Sequence, residues 1–166
     1  MLLRAFTIKK MEDKNLDQSS SKEAYLAIRT IIELTRCYDL LDDVMSCHFA
    51  RFGLSRPKFN ALMQLRNAGE CGLSLSELGE RMLVSRANIT GLIDRLEKDD
   101  LVTREVDSCD RRVFRARLTN KSMHLLKHIL PLHGVFTREA MSGLTGEEKE
   151  ILISLLQKLS SSLQEK

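Results

Sequence analysis

Apolar residues recur at helical spacing over most of the chain, first in one long uninterrupted stretch. Neither Gly nor Pro occurs between Lys22 and Phe52, and Gly53 is expected to end the helix. The positions that share a face are Tyr25, Ile28, Ile32, Thr35, Leu41, Val44, Met45, His48, Phe49 and Phe52. A helix of about 30 residues is ~45 Å long, more than the width of the domain this chain can build. The pattern therefore indicates that part of this face meets another subunit.

Capping residues mark the starts of five further helices, at Ser55, Ser74, Ser85, Thr119 and Thr145. Ser74 and Thr145 are each followed by Glu three residues later, which is the pattern of a capping box. The residues expected to face inward are Phe59, Leu62, Met63, Leu65, Leu75, Leu78, Met82, Ile89, Leu92, Ile93 and Leu96. The last helix carries an apolar stripe of Ile151, Leu152, Leu155, Leu156, Leu159 and Leu163.

Between the helices that begin at Ser85 and Thr119 the pattern changes to alternation. Residues 101–106 and 112–118 alternate as strands do, and Asp107 to Asp110 joins them. Residues 71–73 are expected to be a brief extended link. Two short helices followed by a basic strand pair predict a winged helix-turn-helix, which puts a helix into the DNA major groove and a hairpin onto the backbone.

The predicted fold class is mainly α with a small β-hairpin wing. Residues 1–21 are expected to form a flexible N-terminal arm, and residues 55–118 the winged helix-turn-helix DNA-binding domain. Both chain ends, residues 22–54 and 119–166, are expected to form a helical dimerisation region, because their apolar stripes exceed what one small domain can hide.

Composition adds only weak constraints. A hydrophobic content of 43% with 8 Gly and 2 Pro suits one mainly helical domain. A net charge of +3 permits nucleic-acid binding without arguing for it. The opening residues lack a cleavage site for secretion and no run has transmembrane length, so a cytoplasmic protein without a membrane partner is expected. The sequence contains no Gly-rich phosphate loop, nucleophile elbow or catalytic carboxylate pair. Neither an enzyme nor a bound cofactor is therefore expected.

Three segments resemble the MarR family of bacterial transcription regulators. These are GLSRPKFNALMQL (residues 53–65), the run from Ser74 to Thr119, and DRRVFRARLT (residues 110–119), which is the most specific. The resemblance implies a homodimer that binds a palindromic operator on double-stranded DNA, usually as a repressor, and is released by a ligand or an oxidant. The chain departs from the family pattern at Asp100, Cys109 and Ser122; Asp100 stands where a Gly is usual, and Asp tolerates the left-handed conformation expected there.

The candidate recognition helix has polar residues outside its apolar stripe. They are Ser85, Arg86, Asn88, Thr90 and Arg95. An early position on this helix suits base and phosphate contact, while the alternative is a solvated helix face. Ser85 is expected to be an N-cap first and a phosphate contact second, and Arg95 either contacts a phosphate or pairs with Asp99.

By resemblance, Arg112 in the wing enters the DNA minor groove, Asp110 orients it, and Arg111 adds attraction to the backbone. The alternative for these three residues is a polar turn with a local ion pair.

By resemblance also, an effector is expected between the dimer region and the winged domain, where His48, Arg51, Phe59 and Met63 fall. An Arg or His beside apolar groups suits an aromatic or acyl acid or its CoA thioester. Core packing beside a surface cation is the simpler interpretation of the same four residues.

Histidines and cysteines allow two other kinds of sensing. His124, His128 and His133 have spacing that permits zinc binding, but exposed His on an amphipathic helix accounts for them, and no metal site is predicted. The resemblance also allows a thiol sensor at Cys109, Cys47 or Cys37, provided that the thiol is exposed and activated.

Overall fold

The computed structural model describes residues 18–107 and 113–165. The described residues form six α-helices: α1 (Gln18–Ala50), α2 (Arg56–Ala68), α3 (Leu75–Met82), α4 (Arg86–Lys98), α5 (Asn120–Ala140) and α6 (Gly146–Gln164). They also form three strands: β1 (Leu73–Ser74), β2 (Val102–Val106) and β3 (Phe114–Leu118). A mainly helical fold with a small antiparallel sheet confirms the predicted class. The chain divides into two compact units, one ending at Gly53 and one beginning at Leu54.

Helix α1 is one continuous helix, as predicted, but its 33 residues begin at Gln18, so the last four residues of the predicted N-terminal arm are helical. It ends through backbone bonds from the N–H groups of Phe52 and Gly53 to the carbonyls of Phe49 and Ala50, both 3.0 Å, and Gly53 has a φ of 69°. Many large apolar side chains of α1 are exposed: Tyr25, Leu26, Ile28, Ile31, Leu34, Tyr38, Leu40 and Val44. Several of these lie off the predicted stripe, so α1 exposes a broader apolar surface than the sequence indicated.

All five predicted caps are present. The hydroxyl oxygens of Ser55, Ser74, Ser85, Thr119 and Thr145 each accept a bond from the backbone N–H three residues later. Both predicted capping boxes also form, because the Glu side chain in each accepts from the backbone N–H of the cap at 2.8 Å. These bonds satisfy donors that a helix start leaves without a partner.

The sheet has the strand order β1-β3-β2 and is antiparallel throughout. Strands β2 and β3 pair from Val102 with Leu118 to Val106 with Phe114. The extended link predicted at residues 71–73 is extended at Leu73, which pairs with Ala116 in β3, whereas Cys71 belongs to the 3-10 turn Gly69–Cys71. A two-residue strand is too short to show alternation, and its pairing depends on a partner more than 40 positions away in sequence.

The core of the second unit lies between α2, α3, α4, the sheet and the first half of α5. Its buried apolar residues are Leu54, Phe59, Ala61, Leu62, Leu65, Leu73, Leu78, Ile89, Leu92, Ile93, Leu96, Leu101, Val102, Ala116, Leu126 and Ile129. Met63, Leu75 and Met82, which were also expected inside, are only half-buried. The predicted left-handed conformation of Asp100 is confirmed by its φ of 60°.

The capping box at α3 predicts a specific loss of stability in acid. The hydrogen bond from the Ser74 backbone N–H holds the pKa of Glu77 below its ordinary value of 4.5, with smaller help from the Ser74 hydroxyl and from Arg115 and Arg81. A lowered pKa stabilises the fold above pH 4.5, and this contribution disappears as the pH falls through the pKa of the folded state. In urea titrations from pH 7 to pH 3, the stability difference between the native chain and Glu77→Gln should therefore shrink below pH 4.5. A difference that is independent of pH would contradict this account.

Candidate nucleic-acid interface

Helices α3 and α4 are joined by a turn of two residues, Leu83 and Val84. Leu83 takes the left-handed conformation, with a φ of 54°, and the Val84 N–H donates to the Gly79 carbonyl at 3.0 Å. A Cβ on Gly79 would lie 3.2 Å from the Val84 carbonyl oxygen. Only a residue without a side chain fits at this point without displacing the turn, and the tight turn fixes where α4 begins.

One face of α4 is buried and the opposite face is open to solvent. Ile89, Leu92, Ile93 and Leu96 lie in the core, as predicted. The polar residues Ser85, Arg86, Asn88 and Arg95 are exposed, and Thr90 is half-buried. Ser85 accepts from the Asn88 N–H at 3.4 Å, which confirms its capping role, and the Thr90 hydroxyl donates to the Arg86 carbonyl at 2.9 Å. The first turns of α4 thus present two long polar side chains, Arg86 and Asn88, away from the core.

Asp99, at the end of α4, serves as an anchor between helices. Its carboxylate pairs with the Lys58 ammonium of α2, and its backbone carbonyl accepts from Lys121 of α5 at 2.7 Å. Within residues 18–107 and 113–165 no ion pair joins Asp99 to Arg95. The predicted alternative of an Arg95–Asp99 pair is therefore not seen, and the Arg95 guanidinium faces solvent.

Arg104 of β2 joins the base of the hairpin to α4. Its guanidinium pairs with Asp94 and lies 3.5 Å from the Glu97 carboxylate. Both acids lie on α4, so the pairing offsets negative charge on the helix that carries the exposed cations Arg86 and Arg95. The role of Arg104 was not predicted from the sequence. The pattern that could have indicated it is an Arg on the first strand, ten residues after an Asp on the helix.

Arg115 of β3 joins the hairpin to α3 in the same way. It pairs with Asp107, lies 3.3 Å from the Glu77 carboxylate and donates to the Gly72 carbonyl at 3.4 Å. The bond to Asp107 is the main reason that the pKa of Arg115 is raised. Arg104 and Arg115 together fix the hairpin against both helices of the helix-turn-helix. The sequence analysis assigned neither residue a role.

The Arg115 contacts predict that this residue orders the hairpin. In Arg115→Gln, the largely buried Asp107 side chain loses its ion pair with the Arg115 guanidinium. We expect amide hydrogen exchange in β2 and β3 to become several-fold faster while exchange in α6 is unchanged. Arg117→Gln is the matched control, because Arg117 pairs with the more exposed Glu105 at 3.1 Å. Equal exchange rates in the two variants would show that the Arg115 contacts do not order the hairpin.

Comparison with known proteins places this geometry in a known family. The MarR family model matches residues 52–113. The HTH-type transcriptional regulator MhqR of Bacillus subtilis is 32% identical over 133 residues, which cover 80% of this chain and 90% of that protein. The chain belongs to the MarR family. The HTH-type transcriptional repressor YetL of the same organism is 36% identical over 116 residues, 70% of each chain.

A solved DNA complex has the same fold as this MarR-family chain. The structure of Sco3205, a MarR family transcriptional regulator from Streptomyces coelicolor in complex with DNA, has a TM-score of 0.75 and 26% identity. The matched region covers 85% of this chain and 91% of the Sco3205 chain. The chain is accordingly a DNA-binding transcription regulator with a winged helix, and not an enzyme.

A backbone hydrogen bond follows the last pair of strands β2 and β3 in this MarR-family chain. The Asp107 N–H donates to the Val113 carbonyl at 2.9 Å and closes the hairpin. Asp110, Arg111 and Arg112, the predicted DNA contacts, lie outside the described residues, as does Cys109.

The four residues predicted to bind an effector fall in two different units. His48 is buried near the end of α1 and Arg51 is exposed just beyond it. Phe59 is buried at the start of α2, and Met63 is half-buried. Phe59 contacts the His133 ring edge-on, with centroids 5.0 Å apart, and burial lowers the pKa of His133. From the sequence, His133 was considered only as a metal ligand, and its contact with Phe59 was not predicted.

In the part of the chain that the structure describes, the Cys and His side chains form no cluster that could hold a metal ion. Cys37, Cys47 and Cys71 are free and exposed. Across residues 18–107 and 113–165, no three His, Cys, Asp or Glu residues are grouped so as to hold a metal ion. Over the same residues, no helix combines the length and the apolar character needed to cross a membrane.

Proposed function

We propose that this chain is a homodimeric repressor that binds a palindromic operator with one winged domain per half-site. The observation that carries the proposal is the exposed polar face of α4, opposite a fully buried apolar face and held by Arg104 to the hairpin. Arg86 and Asn88 would contact base edges or phosphates in the major groove, with Ser85, Thr90 and Arg95 beside them. Asp110, Arg111 and Arg112 would bring the wing tip to the minor groove and the backbone.

The proposed dimer rests on the apolar surfaces of α1 and α6. The predicted stripe of α6 is exposed along its whole length, and none of the helix's residues is buried. Large exposed apolar surfaces mark interaction sites, because burying them against a partner removes apolar area from water. Residues 22–54 and 119–166 would therefore form the dimerisation region, and the two-fold symmetry of the dimer would match a palindrome.

A shift assay on the DNA upstream of the gene tests the proposal. We expect binding to a fragment with an inverted repeat, with affinity that falls steeply with salt because phosphate contacts release counterions. Arg86→Ala should weaken binding by about thirtyfold or more, because each half-site of the dimer loses one good base or phosphate contact of ~1 kcal/mol or more. Lys158→Ala on α6 removes the same charge far along the chain; because α6 belongs to the proposed dimerisation region, this variant serves as the control once size-exclusion chromatography shows that it is still a dimer. No binding to any fragment at low salt would overturn the proposal and favour a protein-interaction module instead.

Release by a small molecule is the second part of the proposal. A site that includes His48, Arg51, Phe59 and Met63 would accept an aromatic or acyl acid or its CoA thioester. The same shift assay with candidate acids and thioesters added tests it. We expect Arg51→Gln to bind the operator with unchanged affinity but no longer to be released by the ligand. If the ligand still releases this variant, the effector binds at another site.

Redox control of DNA binding is a second candidate, favoured by the exposure of Cys37 and Cys47. Cys109 is the third thiol considered. Addition of peroxide to the shift assay, with single Cys→Ser variants as controls, tests it. Loss of binding that one of these variants prevents would support thiol sensing, and insensitivity of the native chain to peroxide would exclude it.

A further inference from the structure

The turn between α3 and α4 carries an apolar side chain in an unfavourable position. Leu83 is 87% exposed, more than any other large apolar side chain among the described residues. Its backbone is left-handed, with a φ of 54° and a ψ of 41°. A single exposed Leu is ordinary on a protein surface, but a bulky residue with a positive φ is an outlier. Neither burial nor backbone preference therefore explains a Leu at this position.

The hydrogen bonds of the turn require the left-handed conformation. The Leu83 N–H donates to the Glu80 carbonyl at 3.2 Å, and the Val84 N–H donates to the Gly79 carbonyl at 3.0 Å. Gly or Asn is the usual residue where a helix ends in this way. The Cβ of Leu83 makes the conformation less favourable than it would be for Gly. Because backbone outliers of this kind are concentrated at binding sites, the side chain is expected to have a binding role.

The Leu83 side chain belongs to the same surface as the exposed start of α4. Residues 83–88 are all exposed. Leu83 and Arg86 line one open groove of about 310 Å³, together with Val84 and residues of α3. A partner that is bound through Arg86 therefore meets the Leu83 side chain at the edge of the contact.

We propose that Leu83 contacts the C5-methyl group of a thymine in the major groove of the operator, beside the contact of Arg86. Thymine alone among the four bases presents a methyl group there, so an exposed Leu is complementary to thymine. The Leu side chain has no donor or acceptor for a phosphate or for the polar groups of the base edges. This assignment deepens the proposed function and rests on it, because it requires α4 to enter the major groove.

Uracil substitution in the operator tests the contact, because uracil pairs as thymine does and lacks only the methyl group. Each thymine of the inverted repeat is replaced in turn by deoxyuridine in both half-sites, and fluorescence anisotropy measures the affinity of the full-length chain. We expect one position at which the replacement weakens binding by about fourfold for each half-site, the value of one buried hydrocarbon group. Leu83→Ala keeps the Cβ and its left-handed backbone. It should bind the unsubstituted operator more weakly by a similar factor and should not respond to uracil at that position.

The stability of two further variants separates a DNA contact from a structural role. Leu83→Gly removes the side chain and relieves the backbone, so its midpoint of urea unfolding should equal or exceed that of the native chain while its operator affinity falls. Leu83→Met keeps an apolar side chain of similar volume and should still distinguish thymine from uracil.

Three results would contradict the assignment. Unchanged operator affinity in Leu83→Ala would show that the side chain does not contact DNA and would favour a protein partner for it. An equal response to uracil in the native chain and in Leu83→Ala, at every position, would show that another residue contacts the methyl group. A lower unfolding midpoint in Leu83→Gly would show that the side chain stabilises the turn. In each case the native chain still binds the operator and the proposed function stands, whereas a native chain that binds no fragment would overturn both.

Discussion

Gly72→Ala is expected to lower the free energy of unfolding by roughly 3 kcal/mol or more. Gly72 has a φ of 61°, which costs an L-residue ~1–2 kcal/mol. An added Cβ would also lie 2.4 Å from the Ala116 carbonyl oxygen and 2.7 Å from the Arg117 Cγ. Backbone atoms cannot rotate away as a side chain does, so β1 must separate from β3. Urea unfolding of the purified chain measures the loss.

Gly69→Ala is the matched control for this prediction. Gly69 lies three residues earlier, has a similar φ of 67°, and a Cβ there would meet nothing within 4 Å. It should therefore show only the conformational cost, ~1 kcal/mol. If the two variants are equally destabilised, the close approach of Gly72 to β3 does not contribute to stability.

The sequence predicted the features that depend on neighbouring residues. A cap such as Ser85 and the apolar side of α4 are set within four positions, and both are present. The strand pair was also recognisable from its alternation. The left-handed Asp100 followed from the turn after α4 and from the known tolerance of Asp for that conformation.

The features that were missed depend on contacts between distant segments. Strand β1 exists because Leu73 pairs with Ala116, 43 positions later. Arg104 and Arg115 acquire their roles only when the sheet register and the helix positions are known, since their partners lie on other elements. A cavity that is lined by residues of α2, β2, β3 and α5 likewise has walls from four separate segments, and no local pattern in the sequence marks it.

The Arg contacts at the base of the hairpin bear on how the wing reaches DNA. Arg115 binds Asp107, the last described residue before the wing tip, and Arg104 binds Asp94 on α4. These ion pairs connect the hairpin to α4 and α3. The proposed DNA contacts on α4 and at the wing tip therefore belong to elements that are linked to one another. Two substitutions that share no contact, one on α4 and one at the wing tip, should have approximately additive effects on binding.

Arg112→Ala is expected to weaken operator binding by ~1–3 kcal/mol for each half-site, the usual range for a groove-contacting Arg. A homodimer on a palindrome carries the substitution twice, so the total is about 2–6 kcal/mol, or roughly 30-fold to more than ten-thousandfold in the dissociation constant. Fluorescence anisotropy with a labelled operator, at one fixed salt concentration, measures it.

Arg138→Ala, at the exposed end of α5, removes the same charge and is expected to change affinity by less than about threefold. Asp110→Asn should fall between the two, because it leaves the Arg112 guanidinium in place and removes only the carboxylate proposed to orient it. Thermal unfolding of each variant should match that of the native chain, so that a loss of affinity cannot be attributed to a loss of fold. Native-like affinity for the operator in a folded Arg112→Ala dimer would contradict the minor-groove role, and the wing would then serve only the fold.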